Sequence, residues 1–159
     1  AHGVEVWAMV KNLDLESSDI DTNYILTHTS SRQNLVNQII SQALQYNLDG
    51  INIDFENIKE EEIGDAYIQF LRELSIKCEN NDIVLSTAVN VPVPATINGV
   101  FKYSEQADFV DYICIMAYDQ HWGQASGEGS VFLSIQVSAG VPPKLTLIIQ
   151  IGIFLSFCK

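Results

Sequence analysis

The stretch LDGINIDFENI, Leu48 to Ile58, sets Asn52, Asp54 and Glu56 at every second position and fills the gaps with Ile51, Ile53 and Phe55. On a β-strand, side chains two apart share a face, so this spacing makes one face apolar and the other a polar row ending in two carboxyls. Where such a strand lies in a barrel, the apolar face meets the surrounding helices and the row points inward. Glu56 then stands at the C-terminal end of its strand, at the mouth where barrel active sites are built. Two carboxylates so close in a low-dielectric pocket cannot both ionise cheaply, and a shared proton with a hydrogen bond to Asn52 would leave one of them an acid near neutral pH. A general acid needs that state. A solvated strand end whose carboxylates cap the next helix has the same spacing, so the row alone leaves both readings open.

The flanking sequence supplies strands and helices in alternation. Val4, Val6, Ala8 and Val10 alternate with Glu5, Trp7 and Met9, which predicts a largely buried strand ending at Asn12, with Trp7 and Met9 in the core. A loop follows. Leu35, Val36, Ile39, Ile40, Ala43 and Leu44 then recur at helical spacing, predicting a helix from Thr29 or Ser30 to about Tyr46. Asp49-Gly50 reads as a tight turn into the central strand. Beyond it, EEEIGDAYIQFLRELSIKCEN (60–80) is a second amphipathic helix with acids at its start, which suits the helix dipole. DIVLSTAVNVP (82–92) is a third strand, stopped by Pro92 and Pro94; INGVFKYSEQA (97–107) is a short helical or irregular crossover, and FVDYICIMAYD (109–119) a fourth strand.

This order predicts the α/β class, a parallel sheet covered by helices, and fits either an open doubly wound sheet or a (β/α) barrel. No glycine-rich phosphate loop favours the nucleotide-binding sheet. After Trp122 the pattern changes: GQASGEGS (123–130) is a flexible loop, and residues 131–159 are apolar, carry only lysine charges and have no clear amphipathic helix.

Composition narrows the function. The chain has 159 residues, eight Lys and Arg against twenty Asp and Glu, and a formal net charge of −12, which argues against a binder of nucleic acid. Cys78, Cys114 and Cys158 are widely spaced, so neither a disulfide framework nor a metal site is expected, and Cys114, inside YICIMAY, reads as a packed thiol. No apolar run reaches membrane-spanning length, and the first residues lack the features of a signal peptide and start as if mid-protein. A second polar group, Tyr118, Asp119, Gln120, His121 and Trp122, closes the fourth strand. Met116 and Tyr118 share a face, so Tyr118 could point into the same mouth as Glu56. Aromatic rings and hydroxyls beside paired acids suit a sugar. His121 reads as an ordinary loop histidine.

Asp49 to Glu56, DGINIDFE, resembles the DGxxxDxE signature of family 18 glycoside hydrolases, the chitinase-like enzymes, and Met116 to Asp119, MAYD, resembles their MxYD motif. GVEVWAMVKN, GINIDFENI and MAYDQHW are similar to the bacterial branch of spore-germination and cortex-lytic N-acetylglucosaminidases, over roughly residues 3 to 130. The resemblance implies a (β/α)8 TIM barrel and a retaining glycosidase acting on β-1,4-linked N-acetylglucosamine polymers, peptidoglycan or chitin. Its site would be extracellular, in the cell wall or at the spore. By position, Glu56 would be the acid and then the base, Asp54 would orient the substrate's 2-acetamido group, whose own oxygen attacks the anomeric carbon, and Tyr118 would hydrogen-bond that oxygen. Asn52, Met116, Asp119, Gln120 and Trp122 would contact the sugar. No metal or organic cofactor is implied. Asn52 departs from the pattern, since many chitinases carry a third aspartate there.

The extent departs as well. Complete barrels of this type need eight strand–helix units and about 250 residues, whereas this chain supplies about the third to the sixth strand. Residues 1–130 would be the partial catalytic barrel and 131–159 a divergent or aberrant tail, with a degraded seventh strand at KLTLIIQIGIF. The loss of amphipathic pattern after Ser130 predicts a truncated, mispredicted or frame-shifted gene product. A non-catalytic, lectin-like relative and an inert fragment are the competing readings; lectin-like members typically lose the signature's last glutamate, and Glu56 is present.

Overall fold

A computed structural model describes residues 3–12, 21–56, 58, 63–90, 101–116 and 146–149. The elements run β1 (Trp7–Lys11), α1 (Thr22–Thr27), α2 (Thr29–Gln45), β2 (Gly50–Asp54), α3 (Gly64–Glu79), β3 (Val84–Asn90), α4 (Tyr103–Gln106), β4 (Tyr112–Met116) and β5 (Thr146–Ile149). The five strands form one sheet in the order β1-β2-β3-β4-β5, and every neighbouring pair is parallel. Sequential order with parallel pairing and helical crossovers is the arrangement of a barrel arc, and it is not the order of a doubly wound sheet, whose strands reverse direction of growth partway.

The helix layer covers the sheet face that carries Ile51, Ile53 and Phe55. Phe55 stacks on Phe70 at 5.6 Å and leans on Tyr67 at 6.3 Å, while Tyr67 meets Phe101 edge-on at 5.8 Å. Val36, Ile39, Ile40 and Ala43 of α2 and Tyr67, Phe70, Leu71 and Leu74 of α3 are buried in the same core. The α2 periodicity is therefore the signal that located it in the sequence. An ion pair fastens α2 to α3: Arg32 Nη2 and Nε donate to Glu73 Oε1 at 2.9 and 3.1 Å, and Arg32 Nη1 donates to the Leu26 carbonyl of α1 at 2.7 Å. Burial raises the Glu73 carboxyl, but the hydrogen bonds from Arg32 and Gln69 outweigh it and leave Glu73 below the ordinary glutamate range.

The loops from α2 to β2 and from α3 to β3 close the same way. Asn47 and Asp82 adopt left-handed backbone, and the next residue donates its N–H back to the helix, Leu48 to Ala43 and Ile83 to Cys78. Asn and Asp are the non-glycine residues that tolerate this conformation. The turn thus lies at Tyr46–Asn47 and not at Asp49-Gly50. Gly50 belongs to β2, and a Cβ there would come within 2.7 to 2.8 Å of the Trp7 indole. Asp49 is a brace, its Oδ2 accepting from the Val6 N–H at 2.7 Å, and Asp111 repeats the device on Leu85 at 2.9 Å.

Four further expectations are corrected. The first strand begins at Trp7; Val4 and Val6 are 78% and 56% exposed, because β1 is the sheet edge among the described residues. Met9 is exposed as well, since it lies on the face opposite the helices. The loop after Asn12 contains α1, six residues too short for a periodic signal, capped where Asp21 Oδ1 accepts from the Tyr24 N–H at 2.8 Å. The second helix starts at Gly64, and Glu60, Glu61 and Glu62 lie outside the described residues. In the tail, the backbone of Thr146–Ile149 pairs in parallel with β4, the place a further strand of a barrel would take.

Candidate active site

The face of the sheet turned away from the helices carries the polar row. Register sets Met9 beside Asn52 and Lys11 beside Asp54 on β1 and β2, and Ser86 of β3 beside Asn52. Alternation from Trp7 puts Lys11 on the inner face, directly across from the buried carboxylate. Asn52 Nδ2 donates to Ser86 Oγ at 2.8 Å and to Cys114 Sγ, one strand further, at 3.8 Å; Ser86 Oγ donates on to the Ile51 carbonyl at 3.2 Å. Cys114 is buried as expected, and burial pushes its thiol up.

The carboxyl pair is arranged differently from the sequence expectation. Asn52 does not bond to either acid, because its strand neighbour Ser86 takes its amide. Lys11 Nζ stands between the two acids, 2.8 Å from Asp54 Oδ2 and 3.4 Å from Glu56 Oε1. A cation beside both acids offsets their mutual repulsion. The hydrogen bond to Asp54 is the main reason the Lys11 ammonium is held above its usual range, against some desolvation and with help from the charges of Asp54 and Glu56. The Asp54 side chain is 3% exposed, that of Glu56 38%. Asp54 Oδ1 is buried and has no hydrogen-bond partner among the described residues.

The backbone of Glu56 is fixed separately. Its N–H donates to Asn12 Oδ1 at 3.0 Å, and Asn12 Nδ2 donates to Thr22 Oγ1 at 3.2 Å, both side chains being buried. Glu56 is thus tied to β1 through Lys11 and to α1 through Asn12. The sequence reading missed Lys11, Asn12 and Ser86. The alternation that placed Trp7 and Met9 on one face, carried one step further, would have found Lys11.

Met116 ends β4 on the same face as Cys114, in register with Asn90. Tyr118, Asp119, Gln120, His121 and Trp122 lie outside the described residues. Among the described residues no cluster of three or more His, Cys, Asp or Glu is placed to hold a metal ion, and no helix is long and apolar enough to cross a membrane.

A parallel strand–helix arc with polar side chains at the C-terminal end of an inner strand is the layout of a (β/α) barrel whose site lies at the strand ends. The family model for Glycosyl hydrolases family 18 matches residues 14–142, and the chain belongs to that family. It is 28% identical over 124 residues to a cortical fragment-lytic enzyme of Bacillus subtilis, covering 75% of this chain and 28% of that protein. Among solved structures it is similar to YdhD of Bacillus subtilis, with a TM-score of 0.67 and 30% identity over 74% of this chain and 40% of the other. It also superposes on the Group IV chitinase of Ostrinia furnacalis in complex with allosamidin, with a TM-score of 0.61 and 24% identity, covering 71% and 32%. The shared fold is the (β/α)8 barrel, and the described sheet and helices are part of one. The chain spans well under half the length of these relatives.

Proposed function

We propose that this chain carries the acid–base site of a retaining glycosidase that hydrolyses β-1,4-linked N-acetylglucosamine polymers with help from the substrate's 2-acetamido group. In this reading Glu56 in its protonated form gives its proton to the glycosidic oxygen as the C1–O bond breaks, and the electron pair leaves with that oxygen. The acetamido carbonyl oxygen bonds to C1, forming an oxazolinium. Glu56, now a carboxylate, takes a proton from water, whose oxygen attacks C1 and reopens the ring with retained configuration. Asp54 holds the acetamido N–H. Tyr118 and Asp119 would complete the sugar site, with Asn52, Met116, Gln120 and Trp122 around it, and peptidoglycan is preferred to chitin as the polymer.

The observation that carries the reading is the unlike carboxyl pair at the C-terminal end of β2, Asp54 enclosed at 3% exposed with its Oδ1 unpartnered among the described residues, and Glu56, two positions on, 38% exposed. An unsatisfied buried oxygen is costly unless a ligand supplies the donor, and an amide N–H is such a donor. The test is hydrolysis of a fluorogenic β-linked N-acetylglucosamine oligomer by the chain and by Glu56→Gln. Turnover that the substitution lowers about 10³-fold supports the reading. Equal turnover by both, or efficient cleavage of the matching glucoside that lacks the acetamido group, overturns it. Sugar binding without turnover would instead identify a lectin-like relative.

A further inference from the structure

We propose that Lys11 is the positioning residue of the Asp54–Glu56 pair, a single ammonium brought in from β1 that holds both carboxyls at the strand end. The proposal rests on the reading of Glu56 as the acid. Its basis is a mismatch in burial. The Asp54 side chain is 3% exposed and that of Lys11 41%, so the pair is no loose surface contact: the carboxylate is enclosed and its one cation among the described residues reaches it from the open side. A buried carboxylate without such a partner is strongly disfavoured. The charged groups facing the ammonium among the described residues are Asp54 and Glu56, both from β2 and its exit.

The two contacts are unequal in a way that suits turnover. Lys11 is on Asp54 Oδ2 at 2.8 Å, which leaves Oδ1 free to accept the acetamido N–H, so the lysine keeps its place when the sugar arrives. Its hold on Glu56 Oε1 is looser, at 3.4 Å, and the Glu56 main chain is pinned independently by Asn12. Glu56 can therefore swing its carboxyl toward the glycosidic oxygen while its backbone stays fixed. Lys11, the last residue of β1, and Asn12 directly after it supply the two controls.

The experiment follows the Lys11 ammonium by NMR in the full chain with isotope-labelled lysine, the Lys11 signal being the one that Lys11→Met deletes. The titration midpoint of Lys11 in the native chain should lie above those of exposed lysines, fall most in Asp54→Asn and fall less in Glu56→Gln. An unchanged midpoint in Asp54→Asn would overturn the pairing. On the fluorogenic oligomer, Lys11→Met should lower kcat at least about tenfold with KM within about threefold, as expected for misplaced reacting groups, and Lys11→Arg should recover part of the loss. Native kcat in Lys11→Met, or a loss that Lys11→Arg shares in full while its fold is intact by circular dichroism, would overturn positioning. If the native chain binds the oligomer and does not turn it over, the reading of Glu56 fails, whereas the Lys11 midpoints still decide whether the ammonium holds the pair.

Discussion

Among the described residues, the two charge clusters that join neighbouring elements around a buried charged side chain, Arg32 in one and Asp54 in the other, differ in stoichiometry. In the helix layer one guanidinium meets one carboxylate: Arg32 gives two N–H groups to Glu73 and a third to the Leu26 carbonyl. At the mouth of the sheet one ammonium meets two carboxyls, Asp54 and Glu56. Glu73 also keeps an oxygen, Oε2, without a partner among the described residues, so a lone acceptor is not what separates the two. The surplus acid is. A cluster whose charges cancel fastens α2 to α3, and a cluster with a second, 38% exposed carboxyl leaves open the group proposed here as the acid.

The same isosteric change in each cluster tests that contrast. Glu56→Gln should show the larger effect, a loss of about 10³-fold in kcat, with a urea midpoint close to that of the native chain, because the residue is half open and its backbone is held by Asn12. Glu73→Gln should do the reverse. It leaves Arg32 buried without a counter-charge and should lower stability by about 3 kcal/mol at neutral pH, the low end for a broken buried pair, while kcat of the folded fraction is kept. Because Glu73 in the folded chain lies below the ordinary glutamate range, the native pair contributes fully above the unfolded value and its contribution is lost as pH falls through the folded one. The stability difference between native and Glu73→Gln chains should accordingly shrink on acidification. A difference that is constant from pH 7 to pH 3 would mean that the pair does no electrostatic work.

Gly50→Ala comes next, acting at the other end of β2. The new methyl would overlap the Trp7 ring, which also leans on Tyr112 at 5.7 Å, and one of the strands must shift. Overpacking of this kind costs about 2 kcal/mol. The urea midpoint should drop with an altered near-ultraviolet circular dichroism signal, and a Trp7→Ala background should remove most of the penalty. If it does not, the glycine is required for a reason other than the indole.

These sites were unevenly legible in the sequence. The alternation of Asn52, Asp54 and Glu56 with Ile51, Ile53 and Phe55 was enough to assign the two faces of β2, since period 2 fixes a strand's faces, and Phe55 does pack on Phe70. What the row could not disclose was its partners, which register supplies from other strands: Ser86 takes the Asn52 amide, and Lys11 takes the acids. A lysine at a strand end looks like a solvated residue until the neighbouring strand is aligned with it. Asp49-Gly50 misled for a related reason, because that dipeptide has turn chemistry whereas here a cross-strand indole and a backbone brace require it inside the sheet.

The smallest effect is expected where the two clusters are joined. Helix α1 touches both, its Leu26 carbonyl accepting from Arg32 and its Thr22 hydroxyl accepting from Asn12, which in turn holds the Glu56 N–H. Only six residues long, α1 depends on its cap, Asp21, whose carboxylate accepts from the Tyr24 N–H. Asp21→Ala should cost about 1 kcal/mol, and Asp21→Asn much less, because the amide oxygen can still accept. If α1 couples the clusters, Asp21→Ala should also slow turnover by about twofold to fivefold, through a less firmly held Asn12, and Asn12→Ala should show the same slowing with no additional effect in the double variant. Additive losses would mean that α1 supports each cluster separately, and that the fastening of the helices and the placement of the acid are independent features of the same fold.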